Sequence, residues 1–312
     1  MLRRRLGGSD LEVSVLSLGS WLTFERISRE SGLAVMRAAQ QAGITFLDDA
    51  RYNDPTGTAP LASGYSEVIF GELFRAAGWK REQTVVANKL WFEFWPEQGA
   101  AAELDASLQR LGFDYLDLEY CAPPPASLSV AEVVSQVGGL IESGKLRAWG
   151  VLNWSVAQIA EAHQNAVAQN VPAPCAAQLP YSLARRDPVE TPEMSEGLQS
   201  AGVSVVASST LASGVLTGKY GGANPGGRVG DQLEDPRYQR ALRVADKLQV
   251  LAARLDQPPA ALAIAYALAN PLVASVLFGA TSAEQVQQNT EALVAVEQRS
   301  ESVLTDLRAT GA

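Results

Sequence analysis

Cysteine and histidine are almost missing from this chain, with two of the first and one of the second in 312 residues. Cys121 and Cys175 stand in apolar contexts without metal-ligand spacing, so neither a disulfide framework nor a metal centre is expected, and a reducing compartment is. No run approaches the roughly 20 apolar residues a spanning helix needs. Residues 1–10 carry charge without the apolar stretch of a secretory signal, which makes the cytoplasm the expected location and leaves no membrane contact to expect. Positive charge is also in deficit. With 25 Lys and Arg against 34 Asp and Glu, the net charge is −9, the wrong sign for a phosphate-backbone partner, so no nucleic acid is expected. The one basic cluster, Arg3-Arg4-Arg5, is too short to change this and reads as decoration of a short first strand. No Gly-x-Gly-x-x-Gly turn follows the first apolar strand, which removes the main signature of a doubly wound dinucleotide-binding sheet.

What the chain does have is alternation. A hydrophobic fraction of 47% and a charged fraction of 19% describe a globular protein with a large core. Short apolar runs at 15–18, 45–48, 84–88, 115–120, 146–152, 175–179, 204–208 and 274–278 predict strands. They alternate with helical patterns at 29–42, 66–77, 100–111, 131–143, 155–169, 193–201 and 260–269, and an extra helix at 236–255. The strands show little polar alternation, as expected when both faces are covered. Eight such units predict a single α/β domain over 1–312, a closed (β/α)8 TIM barrel. Residues 3–6 and 11–14, around Gly7-Gly8-Ser9-Asp10, read as an N-terminal β-hairpin that plugs the bottom of the barrel. Two long loops, 50–65 and 209–235, each follow a strand and so belong to the mouth, where barrel active sites lie. The chain runs only a short way past residue 295, so no long C-terminal loop is expected over that mouth and an open pocket is.

The segment Phe46-Leu47-Asp48-Asp49-Ala50-Arg51-Tyr52 puts a carboxylate at a strand end with a phenol close behind. Another strand, Val85-Val86-Ala87-Asn88-Lys89, ends in an ammonium. Converging at a mouth, these groups make a proton donor: Lys89 lowers the phenol's pKa and Asp48 positions Lys89. Asp48 and Lys89 would serve equally well as an ion pair closing the barrel top. The run Trp91-Phe92-Glu93-Phe94-Trp95, with Trp21 and Trp154, offers an apolar substrate wall, although such clusters also serve simply as packing.

Several motifs in order carry a resemblance. Leu6-Gly7, Val13-Ser14 and Leu16-Ser17-Leu18-Gly19 open the chain, followed by Phe46-Leu47-Asp48 and Ala50, then Tyr65-Ser66-Glu67 with Gly71. Leu108, Arg110-Leu111-Gly112, Asp114-Tyr115 and Asp117-Leu118 come next, then Gly144-Lys145-Leu146-Arg147-Ala148 with Gly150-Val151 and Asn153. Leu211-Ala212-Ser213-Gly214 and Leu216-Thr217-Gly218-Lys219-Tyr220 complete the series. Together they resemble the aldo-keto reductase family, in the branch that includes potassium-channel β-subunits and their bacterial relatives. The resemblance implies an NADP(H)-dependent oxidoreductase that reduces a small-molecule aldehyde or ketone, with NAD(H) open as the other cofactor and a homo-oligomer compatible with it.

Carried over, the resemblance makes Asp48, Tyr52 and Lys89 catalytic. It places the cofactor against Gly19, Ser20, Trp21 and Asp48, with Asn153 and Gln178 on the nicotinamide carboxamide. Ser208 stands where a stacking aromatic is usual, and Trp21 or Tyr181 would have to cover the ring instead. Ser209, Leu211, Ser213 and Gly214 wrap the pyrophosphate, and Lys219 and Arg228 reach phosphate. Gly279, Thr281, Gln285 and Asn289 hold the adenosine end, with the backbone at that helix start suited to an anion. With Gln rather than Arg at 285, only Lys219, Arg228 and Thr281 favour a 2′-phosphate.

Three departures are visible. Tyr52 follows Asp48 by four residues where the family has five, and an insertion comes after it; Tyr65, the other phenol near the insertion, reads as a packing residue. The family's histidine position falls on Ala122, which predicts a slowed or rerouted reaction, since acid–base assistance contributes roughly 10²–10⁴-fold. The sole histidine, His163, falls mid-helix. Glu119 points toward the helices by alternation and reads as a partnered structural carboxylate. The alternatives to a reductase are a dinucleotide-binding redox sensor or regulatory protein with little turnover, and an enzyme that acts on a sugar by another base.

Overall fold

The computed structural model describes residues 1–54, 57–221, 229–297 and 301–311. An antiparallel hairpin, β1 (Arg3–Arg5) and β2 (Glu12–Ser14), comes first. Eight parallel strands follow: β3 (Leu16–Gly19), β4 (Phe46–Asp48), β5 (Val85–Leu90), β6 (Leu116–Cys121), β7 (Leu146–Leu152), β8 (Ala176–Pro180), β9 (Ser204–Ser208) and β10 (Val273–Phe278). They pair in sequence order, and β10 closes on β3 to complete the ring. The fold is a (β/α)8 TIM barrel with an antiparallel hairpin at its N-terminus.

Helices clothe the ring: α1 (Arg29–Gln41), α2 (Tyr65–Ala76), α3 (Ala100–Leu111), α4 (Val130–Glu142), α5 (Val156–Gln169), α6 (Asp187–Glu190), α7 (Pro192–Ser200), α8 (Pro236–Leu255), α9 (Pro259–Ala269), α10 (Ala283–Thr290), α11 (Ala292–Glu297) and α12 (Glu301–Thr310). Local chemistry sets their ends. Ser129 with Glu132 and Ser155 with Gln158 form capping boxes at the starts of α4 and α5, which satisfies otherwise orphaned N–H groups. Gly112 ends α3 in the left-handed region, as a glycine does most easily. The main core lies between the barrel and these helices. Among the described residues no helix is long and apolar enough to cross a membrane.

The barrel interior has its own core. Phe46, Ala87, Leu118, Tyr120, Ala148, Ala176, Val206 and Ala274 meet Leu6, Leu11 and Val13 of the hairpin in one buried cluster. Each hairpin side chain is buried, a contribution of about 1.5–3 kcal/mol apiece. Gly7 makes the fit. Its φ is +53°, and a Cβ there would sit 2.1 Å from the Cys175 carbonyl oxygen; its N–H donates to Ser204 Oγ at 2.8 Å. The hairpin is thus pinned beneath β8 and β9. Arg4 of β1 donates to the backbone oxygens of Val273 and Leu268, while Cys121 and Cys175 are both free and buried.

Each predicted strand and helix is present, with ends displaced by no more than about two residues. The C-terminal stretch differs from expectation. Residues beyond 290 form α11 and α12, packed against α8 and α9, rather than a bare end near residue 295. Val303, Leu304 and Leu307 give α12 an apolar stripe too short to stand out from its charged neighbours.

Candidate active site

Strand alternation sends Asp48, Lys89 and Gln178 inward at the mouth of the barrel, one layer above Phe46, Ala87 and Ala176. The three side chains are buried and bonded to one another. Lys89 Nζ donates to Asp48 Oδ1 at 2.6 Å, and Gln178 Nε2 donates to Asp48 Oδ2 at 2.9 Å. The ammonium also donates to the Asp49 carbonyl oxygen at 3.1 Å. Both carboxylate oxygens are therefore engaged, and β4, β5 and β8 are tied together across the ring. An ion pair this well hydrogen-bonded holds one geometry.

Tyr52 reaches the same point. Lys89 Nζ lies 5.7 Å from the centre of its ring, near enough for the ammonium charge to act on the phenol. The 50–65 insertion explains how a four-residue interval still delivers the phenol. Its described residues come together at the base, with Asn53 bridging Ser63 and Asp54 N–H donating to Ala62 O at 2.8 Å. Tyr52 N–H donates to Ser66 Oγ at 3.3 Å, and Gly64 N–H donates to Tyr52 O at 2.9 Å. Tyr65 begins α2 and packs on the core.

The electrostatics correct one expectation. Burial pushes the Tyr52 phenol up; the Lys89 charge pulls it down, but Asp48 and Asp49 add to the upward push and the net direction is raised. Lys89 does not lower the phenol below its ordinary value. Burial alone would discharge Lys89, yet Asp48 and Tyr52 outweigh it and hold the ammonium above its usual range. The arrangement is a protonated phenol beside a permanently charged ammonium, a group that gives up a proton only when a strongly basic oxygen forms next to it.

A cleft of about 1760 Å³ opens over this floor. Gly19, Trp21, Asp48, Tyr52 and Lys89 line it with Asn153 and Gln178. Ser208, Ser209, Leu211, Ser213, Gly214 and Lys219 line it too, and so do Gly279, Thr281, Gln285 and Asn289. Asn153 holds a left-handed φ of 57°, as do Ser209, Ala212 and Ser213 at 54°, 48° and 57°, strain that keeps the turn tight against the cleft. Ser20 is a correction. It is fully buried, and its hydroxyl donates to Asp49, away from the cleft. Tyr181 is another: it is buried and donates to Glu190 Oε1 at 2.6 Å, so it cannot cover a ligand ring. Arg228 lies outside the described residues.

Of the aromatic run, Trp91 lines the cleft and meets Tyr52 edge-on with centroids 6.3 Å apart. Trp21 flanks Tyr52 on the cleft at 6.5 Å. Phe92 and Trp154 are core residues. Phe94 lies exposed under the Arg51 guanidinium, and Glu93 pairs with Arg51 at 2.7 Å.

The donor set suits a nicotinamide dinucleotide. Amide side chains, a strained turn with a lysine, and uncharged hydrogen-bonding groups share the one cleft. The tight turn also needs its glycine, because a Cβ on Gly214 would lie 2.8 Å from Lys219 Nζ.

Comparison with known proteins gives the family. Residues 15–309 match the aldo/keto reductase family. The chain belongs to that family. It is 35% identical over 311 residues to a rice protein named "Probable voltage-gated potassium channel subunit beta", covering 94% of this chain and 91% of the relative. A protein of the same name from Arabidopsis thaliana is 33% identical, with the same coverage.

In this aldo/keto reductase chain, Ala122 extends the ladder from β6, its N–H donating to Leu90 O at 2.8 Å. His163 stands on α5, in the outer helical layer. Glu119 points outward as alternation requires. It is buried beside Glu67 and Glu103, with Oε2 unpaired, and burial first and those two carboxylates next raise its pKa well above the ordinary range. Arg26, Arg185, Asp231 and Glu291 also line the cleft and were not singled out by the sequence. They lie away from the quoted motifs, and strand alternation says nothing of where a loop residue turns.

Proposed function

We propose that this aldo/keto reductase family member is an NADP(H)-dependent oxidoreductase that reduces an aldehyde or ketone. The observation that carries the reading is the Lys89 ammonium, fixed by Asp48 and facing the Tyr52 phenol at the floor of a cleft of about 1760 Å³, roomy enough for a dinucleotide. Asn153 and Gln178 would hold the carboxamide. Gln178 already donates its Nε2 to Asp48, so it acts there through its carbonyl oxygen. Ser209, Leu211, Ser213, Gly214 and Lys219 would hold the diphosphate, and Gly279, Thr281, Gln285 and Asn289 the adenosine end. The bound cofactor supplies a hydride.

The protein's own part is the proton. As a carbonyl oxygen gains negative charge in the cleft, the Tyr52 hydroxyl gives it a proton. The phenolate left behind is stabilised by Lys89, whose charge Asp48 holds in place. Trp21 and Trp91 flank the phenol and shield the reacting atoms from water.

Ala122 and the relatives named as channel subunits favour a second reading, a dinucleotide-binding sensor with little turnover. Bound NADPH fluorescence followed by single-turnover oxidation with a panel of aldehydes and quinones separates the two. Turnover that disappears in Tyr52→Phe supports the reductase. Tight binding with slow oxidation, indifferent to that substitution, supports the sensor.

A further inference from the structure

Apart from Lys89, three cations line the cleft among the described residues: Arg26, Arg185 and Lys219. Lys219 curls over the Gly214 turn, its Nζ 2.8 Å from where a Gly214 Cβ would stand and 4.9 Å from the Tyr220 ring centre. It belongs to the segment after β9. Arg185 belongs to a tight turn after β8, in which Ser182 and Arg185 exchange backbone hydrogen bonds of 3.0 Å. In the ring, β9 separates that turn from β10.

Arg26 is placed differently. It ends a short turn of helix, Phe24–Arg26, in the loop after β3, and β3 pairs with β10. Its N–H donates to Thr23 O at 3.1 Å. Thr23 Oγ1 lies 3.2 Å from the Cβ position of Gly279. Just beyond Arg26, α1 begins and packs along α10, the helix that carries Gln285 and Asn289. Arg26 is thereby held between two points of contact with the Gly279–Asn289 end of the cleft. Its side chain is exposed and makes no ion pair among the described residues. The side chains expected there are neutral, and two of them are taken up with each other: Thr281 donates to Gln285 Oε1 from N–H at 2.8 Å and from Oγ1 at 3.2 Å. Of the acidic residues on the cleft, Asp48 pairs with Lys89, and neither Asp231 nor Glu291 pairs with Arg26 among the described residues.

We propose that Arg26 grips the 2′-phosphate of NADP(H) and gives this chain its preference for the phosphorylated dinucleotide. The inference rests on the cofactor reading above. A planar guanidinium matches a phosphate monoester in two parallel hydrogen bonds, and the loop that carries Arg26 abuts Gly279.

Fluorescence titration of the intact protein with NADPH and with NADH tests it, together with displacement of NADPH by adenosine 2′,5′-bisphosphate and by AMP. Wild type should prefer NADPH. Arg26→Gln should weaken NADPH and the bisphosphate by roughly 10- to 100-fold while NADH and AMP change less than about twofold, and Arg26→Lys should recover part of the loss. Unchanged NADPH affinity in Arg26→Gln, or an equal loss for both nucleotides, would overturn the assignment while leaving the cofactor reading standing. A wild type that prefers NADH, or that binds neither nucleotide, would overturn both.

Discussion

At the scale of single residues, the site depends on charges held in a place where water is scarce. Tyr52 stays a phenol because burial and two neighbouring acids outweigh the pull of Lys89. Tyr52→Phe removes the proton donor while leaving the ring between Trp21 and Trp91. Single-turnover oxidation should fall roughly 10²–10⁴-fold, with NADPH affinity changed less than about twofold in fluorescence titration. Lys89→Met leaves Asp48 buried and short of its countercharge. Denaturant unfolding should report a loss of about 3–5 kcal/mol, moderated by the Gln178 hydrogen bond that remains.

Glu119 makes a different kind of prediction. Its pKa in the folded chain lies above its unfolded value, so the folded state keeps a proton that the unfolded state releases as pH rises through the ordinary carboxylate range. Stability from this group is therefore complete below that range and is lost on the way up to the folded pKa. Glu119→Gln removes the titration. Melting temperatures of wild type and variant, compared between pH 5 and pH 9, should diverge in the variant's favour as pH rises; parallel curves would show that Glu119 does not titrate this way.

At the scale of elements, the hairpin is the part most sensitive to substitution. Leu11→Ala opens space in a cluster closed by Phe46, Leu118 and Tyr120 and should cost about 2–5 kcal/mol in chemical denaturation. Gly7→Ala would drive a methyl group into the Cys175 carbonyl, and its loss of stability should be at least as large. This element was legible because turn chemistry at Gly7-Gly8 sits between short runs with a clear strand pattern. The eight barrel strands were legible because burial on both faces leaves nearly unbroken apolar runs. The last helices were not, since α12 hides one apolar stripe among charges. In the site, Asp48, Lys89 and Gln178 could be read from their places at strand ends. Ser20 and Tyr181 could not, because in the residue just past a strand alternation gives way to loop geometry. Trp154 and Phe92 were harder still: an indole or phenyl ring serves a core and a pocket wall equally well.

At the scale of the whole molecule, the cleft draws on loops from most of the ring, so ligand binding and global stability should be linked. NADPH at about 100 times its dissociation constant should add about 2.7 kcal/mol to unfolding, seen as a melting temperature that climbs with ligand concentration. A melting curve indifferent to both NADPH and NADH would argue against a dinucleotide site.

Leu6, Leu11 and Val13 stop the barrel from below, and the floor of the cleft is built across the top of that stopper. Among the described residues, the way in lies on the opposite side. A cofactor lying along the floor would have to be in place before a substrate could settle above it, and the product would have to leave before the spent cofactor could be exchanged. The small hairpin at the start of the chain, far from any reacting atom, would by this route dictate the order in which the ligands come and go.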